Sequence, residues 1–302
     1  MASAYNNTLA ELIEMTARLY GDWKSGTVDS GSTSTVVDDE REEPDDYFQN
    51  TTPVSKVRIV STTDGAAPQG ETRAISDFTL STGTITISTD KLFSVAPGAG
   101  DTYAVMSDLS WDECKWAVNG AIQMVAKDAL EWLVDETTIT LQNDTYATYE
   151  YALPSSFVWL FRVGQANDDG NFIYSIPPDQ YRIVKGSIPL LHLSRFPVTQ
   201  MFPGIWAGDL WVAGSLSDGK KLRLEGLGMP SKLANDADTS SVSPTFIMFQ
   251  AAALLHRKRI ADPRYDSDYH KARADDCDKL ANIERARIES PQLPPNAKKV
   301  RD

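Results

Sequence analysis

The chain has 302 residues, with 29 Lys plus Arg against 42 Asp plus Glu and a formal charge of −13. Its 41% hydrophobic and 9% aromatic residues can build sizeable cores, which excludes wholesale disorder. A balance this acidic argues against tight nucleic-acid binding, which is built on Lys and Arg, and against an anionic membrane surface as main partners. No apolar run approaches the roughly 18 residues of a membrane span. The richest, Phe246 to Leu255, is broken by Gln250, and Met1 to Asn7 has no basic-then-apolar leader pattern.

Thr8 followed three residues later by Glu11 has the form of a capping box. Leu9, Leu12, Ile13, Thr16, Leu19 and Tyr20 then recur at helical spacing. The prediction is an amphipathic helix from Leu9 to Tyr20, closing residues 1–24. Gly, Ser and Thr from Ser25 to Thr35, then eight charges in the nine positions Asp38 to Asp46, predict an extended, solvated acidic connector over 25–54. A period of two begins at Val57 and Ile59 and is cleanest at Thr84 to Ile87, with turns at Asp64-Gly65, Gly83 and Pro97-Gly98. Residues 55–108 therefore read as a small β module.

Ser110 and Glu113 form a second capping box, and Trp111, Cys114, Ala117, Val118, Ala121, Ile122, Val125, Ala129, Leu130 and Leu133 continue an apolar stripe. This predicts a long helix over 109–134. Trp116 and Trp132 lie off the stripe, so that helix is expected to be packed on more than one side. Over 135–230, strand-like runs include Thr138 to Leu141, Ala147 to Leu153, Val158 to Val163, Phe172 to Ile176, Tyr181 to Val184 and Lys221 to Leu224. Turn signals at Gln142-Asn143-Asp144, Asp168-Asp169-Gly170, Pro177-Pro178 and Asp218-Gly219 separate them, predicting an antiparallel sandwich or barrel.

Ser243-Pro244 is an N-cap with proline at the first helical position, opening a helix that runs to Pro263. A charged helix follows from Asp266 to Glu289, and these complete residues 231–290. Pro291, Pro294 and Pro295 then end regular structure, and Lys298, Lys299 and Arg301 make 291–302 a basic extended tail. The fold class is α+β: a helical bundle formed by sequence-distant helices, with two inserted antiparallel β modules, one small and one a sandwich or barrel.

The chemistry-bearing residues nominate no catalytic, cofactor or metal site. Cys114 and Cys277, far apart in helical segments, read as reduced thiols. None of His192, His256 and His270 has a histidine at helical i+4 spacing. His256, beside Arg257, Lys258 and Arg259, reads as a partner of terminal helix carbonyls. Asp266, Asp268 and His270 alternate within a helix and read as solvated surface. Gly226 to Lys232 lacks the Gly-Lys-Ser/Thr ending of a phosphate loop, and Gly98 to Gly100 lacks the third glycine of a dinucleotide fingerprint. The acidic connector has no calcium-loop rhythm. Trp159, Trp206 and Trp211 read as core or subunit interface.

Lys221-Leu222-Arg223-Leu224-Glu225-Gly226, a proline turn, Ala234 to Thr239, Phe246 to Leu255 and the charged closing helix together resemble the closing half of the head-to-tail adaptors of tailed bacteriophages. Asp38 to Arg41, Asp45 to Phe48, Gly70 to Arg73, Gly83 to Thr86 and Gly100 to Tyr103 are similar to a small β module of phage virion proteins. The resemblance implies a non-enzymatic virion protein at the head–tail interface, assembled in the host cytoplasm. It implies a ring of twelve copies on the portal, with helices lining the DNA passage and β modules turned toward neighbours and tail proteins. No cofactor, membrane or small-molecule substrate is implied. On this reading Pro291, Pro294, Pro295, Lys298, Lys299 and Arg301 dock on the portal. The competing expectation is a carbohydrate-binding module of a phage tail or surface component, using the Trp-bearing sandwich.

Overall fold

The computed structural model describes residues 5–48, 54–141, 150–166, 172–193, 221–288 and 291–301. In chain order these form β1 Asn7–Thr8, α1 Leu9–Tyr20, β2 Lys24–Thr27, β3 Ser30–Ser32, β4 Thr35–Val37, β5 Lys56–Ser61, β6 Thr72–Thr79, β7 Thr84–Ile87, β8 Thr102–Met106 and α2 Trp111–Val125. There follow β9 Glu131–Asp135, β10 Glu150–Ala152, β11 Phe157–Ala166, β12 Phe172–Ile176, β13 Tyr181–Val184, β14 Leu190–Leu193 and β15 Leu222–Gly228. The chain closes with β16 Thr239–Ser240, α3 Pro244–Ile260, α4 Ser267–Arg285 and β17 Lys298–Lys299. The fold is mixed α+β, its sheets are antiparallel, and none of them closes into a barrel among the described residues. Two compact units share the chain: one holds Ser3–Val125 and Ser231–Ile288, the other Ala126–Pro230 and Glu289–Asp302.

In the first unit, α1 begins as expected. The Thr8 side chain accepts from the Glu11 N–H at 3.2 Å, and Glu11 accepts from the Thr8 N–H at 2.9 Å. Gly21, with φ of 95°, ends the helix in the left-handed region that favours glycine, its N–H returning to the Ala17 and Arg18 carbonyls. Pairing of Asn7 with Ser240 ties this start to the strand preceding α3. α3 packs on α1, α2 and α4, and α1 packs on α2. The run Ala251, Ala252, Ala253 is fully buried, consistent with a helix contacted on several sides.

The acidic connector is a correction. Residues 24–37 supply three strands of a seven-stranded sheet ordered β2-β8-β5-β6-β7-β4-β3, and Val36 and Phe48 are core residues. Charge density alone misreads the stretch because its central charges find distant partners. Tyr103 donates to Asp38 at 2.6 Å, Arg41 Nε donates to the Tyr103 hydroxyl at 2.6 Å, and Arg41 pairs with Glu43 at 3.0 Å. A side chain at Gly26 would lie 2.1 Å from the Asp38 carboxylate, so this packing requires glycine.

α2 is also shorter than its apolar stripe predicts. It stops at Val125, and Glu131–Asp135 is instead a strand, paired residue for residue with Leu224–Gly228. Trp132, Leu133 and Val134 suit a strand, and a Cβ on Gly228, which pairs with Glu131, would stand 2.2 Å from a Leu133 methyl and 2.3 Å from the Ser156 carbonyl. The expected packing on the Trp116 side is not made among the described residues, and Trp116 and Trp132 are 55% and 57% exposed.

The second unit contains the sheet β12-β11-β15-β9, with β17 on β11, and a three-stranded sheet β10-β14-β13. Phe157, Leu160, Val163 and Leu224 of the larger sheet share one apolar core with Leu153, Tyr181, Leu191 and Leu193. The turn signals at 142–144, 168–170 and 218–219, the strand-like residues 147–149, and Trp206 and Trp211 lie outside the described residues.

Candidate functional site

The basic tail is held against its own unit. Lys298 and Lys299 pair with Leu160 and Trp159 of β11, and the Val300 N–H donates to the Val158 carbonyl at 2.8 Å. Val300 is buried, and Asn296 donates to the Phe161 carbonyl at 3.2 Å. The Lys298 ammonium lies 4.1 Å above the Tyr181 ring and donates to the Pro178 and Tyr181 carbonyls. Burial lowers its pKa, opposed by the Asp179 charge. Pro291, Pro294, Lys298 and Arg301 are half-buried, and Pro295 and Lys299 are exposed. The segment is extended as expected, but as a strand clipped to a sheet.

A second assembly escaped the sequence reading. Asp22, just beyond α1, accepts the backbone N–H groups of Ser107, Asp108 and Leu109 at 2.8, 2.8 and 2.6 Å. It thereby fixes the loop leading into α2. Asp108 in that loop accepts from the hydroxyls of Tyr20 and Tyr265 and pairs with Arg259 of α3. Arg259 also donates to the Asp108 carbonyl at 2.7 Å. Glu113 closes the expected capping box with Ser110 and at the same time accepts from Lys258 at 2.6 Å and Arg259 at 3.2 Å. One carboxylate thus caps α2 and pins α3. Burial opposes its ionisation, but the Lys258 and Arg259 hydrogen bonds and the Arg259 charge hold its pKa at about 2.

His256 and His270 meet beside this network, with their Nδ1 atoms 2.9 Å apart. Both are buried, which corrects two expectations: His256 does not sit at exposed helix carbonyls, and His270 is not solvated surface. Tyr20 stacks on His256 with centroids 4.5 Å apart, and Tyr265 and Tyr269 meet His270 edge-on at 5.5 and 5.2 Å. Burial first, then the charges of His270 and Arg273, bring the His256 pKa down to about 4 against the pull of Asp108. No third His, Cys, Asp or Glu ligand atom joins the two imidazoles closely enough to complete a metal site among the described residues.

Chemically, this assembly is suited to holding segments together. Burial and Asp108 push the Tyr265 hydroxyl up to about 12 and the Tyr20 hydroxyl further. Cys114 is a free, buried thiol pushed up to about 12 by burial and by the charges of Asp22 and Glu113, and Cys277 is likewise free and buried. The Asp108 carboxylate is already engaged by two tyrosine hydroxyls and the Arg259 guanidinium.

Elsewhere, the carboxylates of Asp29, Asp38 and Asp39 converge within 4.8 Å. Asp38 is already engaged by Tyr103 and Arg41, so this proximity is explained by the sheet packing. Trp159 is half-buried in β11 opposite Leu227. The exposed indole of this sheet is Trp132, 5.3 Å from the Phe161 ring. His192 pairs with Glu150 across the β10–β14 ladder at 3.1 Å. No helix is long and apolar enough to cross a membrane among the described residues. The sequence matches no family model and no curated protein.

Proposed function

We propose that the chain is a structural adaptor subunit of a tailed-phage virion, forming a ring that joins the capsid portal to the tail and surrounds the DNA passage. The observation that carries the reading is a set of large apolar side chains exposed on the helices: Trp116 and Met124 of α2 are 55% and 49% exposed, and Leu280 and Ile283 of α4 are 43% and 54% exposed. Such side chains on an otherwise charged surface suit burial against other protein copies. The sequence-distant helices act as the hub of each subunit, bearing the two β modules. The chain's net charge of −13 suits a channel past which DNA slides without sticking.

The portal contact is made by the clipped C-terminal strand and its approach, residues Pro291, Pro294, Pro295, Lys298, Lys299 and Arg301. Pro295 and Lys299 face the partner, and Lys298 holds the strand in place.

The purified full chain, alone and mixed with portal protein, tests the reading by mass photometry and negative-stain electron microscopy. Rings, or portal particles carrying an added layer, are expected. Trp116→Glu is expected to abolish rings, and Lys299→Glu to weaken portal attachment by tenfold or more. A wild-type chain that stays monomeric at high micromolar concentration and leaves portal particles bare overturns the proposal.

A further inference from the structure

Two imidazoles sharing one hydrogen bond impose a proton count. The contact between the Nδ1 atoms of His256 and His270, 2.9 Å long, needs one nitrogen as donor and the other as acceptor. With both rings charged, both nitrogens carry hydrogen and the bond becomes a repulsion. His256 adds a second constraint. Its Nε2 is buried with no hydrogen-bond partner among the described residues, so a charged His256 carries an N–H that none of them accepts. The two rings lie on different helices, His256 in the last turns of α3 and His270 in the first turn of α4.

The groups around them pull in both directions, with burial and the neighbouring cations outweighing the carboxylates. From α1 comes the Tyr20 ring, stacked on His256. The loop before α2 brings Asp108, which favours protonation of both rings but is already held by Tyr20, Tyr265 and Arg259. α3 brings Arg259, which opposes charge on His270. α4 and the turn before it bring Tyr265 and Tyr269, then Asp266, which favours charge on His270, and Arg273, which opposes it on His256.

We propose that His256 and His270 are a proton-operated latch between α3 and α4, closed while at least one ring is neutral and released when both are protonated. The latch does not depend on the virion reading, since it rests on the pair alone.

The direction of the pH effect follows from the depressed proton affinity of both rings in the folded chain. Burial lowers the His270 pKa, as does Arg259, against Asp108 and Asp266. His256 goes from 6.5 to about 4. The unfolded or opened state binds more protons than the closed one between these limits, so the stabilisation is intact above pH 6.5 and drains away as pH falls toward 4.

NMR on the full-length chain tests the latch in two ways. Imidazole titration is expected to place both rings below 6.5. Amide hydrogen exchange, corrected for intrinsic rates, is expected to show protection across the α3–α4 junction falling at least tenfold between pH 7 and pH 4.5. In His256→Gln, whose side chain cannot titrate, that fall should shrink to less than threefold. Titration of His256 at or above 6.5, or junction protection that does not change with pH in the wild type, overturns the proposal. Should the variant fail to fold, the wild-type titration decides alone.

Discussion

The interiors of the two units are built from different materials. Every charged side chain found buried among the described residues belongs to the first unit: Asp38, Arg41, Arg58, Arg73, Asp101 and Arg259, together with His256 and His270. The buried polar residues of the second unit are Gln165 and Gln180, and its core is otherwise apolar. The first unit joins segments far apart in the chain through ion pairs. Arg58, for example, lies 3.9 Å over Trp111 and pairs with Asp236, which also accepts from the Trp111 indole at 3.2 Å. In the second unit, alternation along strands and two glycines set the pairing, since a Cβ on Gly226 would sit 2.0 Å from the Trp159 carbonyl. Buried ions specify which distant segment goes where and are intolerant of losing one partner, whereas an apolar sheet core depends on volume.

The sharpest way to separate the two is by substitution. Phe157→Ala empties a fully buried position in the second core and is expected to cost about 4 kcal/mol. Hydrogen exchange should localise the loss to β11 and β15, with protection in α2 and β5 retained. If protection falls equally in both units, they are one cooperative body and the contrast is only compositional.

Arg259→Met is expected to cost about 3 kcal/mol in denaturant unfolding, because it strips the cation from Glu113 and Asp108 while keeping apolar volume. The pH dependence gives a second signature. Glu113 is depressed from 4.5 to about 2, so its share of the stability is present above pH 4.5 and is lost as pH falls through 2. In the variant this slope should flatten. A cost below about 1 kcal/mol would mean that the first unit, too, is held by apolar packing.

The smallest effect expected is Tyr103→Phe, which removes only the hydroxyl linking Asp38 and Arg41 and should cost about 1.5 kcal/mol, read by thermal unfolding. An unchanged Tm would show that the Asp38–Arg41 pair, 3.7 Å apart, needs no bridge.

The same contrast explains what was legible in the sequence. Both capping boxes were, because Thr8 with Glu11 and Ser110 with Glu113 are local signals of a local structure. The end of α2 was not. Ala129, Leu130 and Leu133 keep helical spacing, and the strand at 131–135 takes its pairing from β15, some ninety residues later. The burial of Asp38 and Arg41 was hidden for a similar reason, since Tyr103 lies more than sixty positions away. Nor does any local pattern bring His256 to His270, which meet only because the turn at Pro263 folds α4 back on α3. The tail's basic charge was visible, but its strand pairing depends on the free edge of one stretch of β11.

One feature of the chain order bears on biosynthesis. α3, which packs on both α1 and α2, emerges from the ribosome only after about 120 further residues have been made, at about 5–20 residues per second. For some seconds, therefore, the apolar faces of α1 and α2 must wait in water for the helix that covers them, while the whole second sheet system is being synthesised. A nascent chain in that state exposes the kind of surface that chaperones bind, and its yield in a host should depend on chaperone supply and growth temperature.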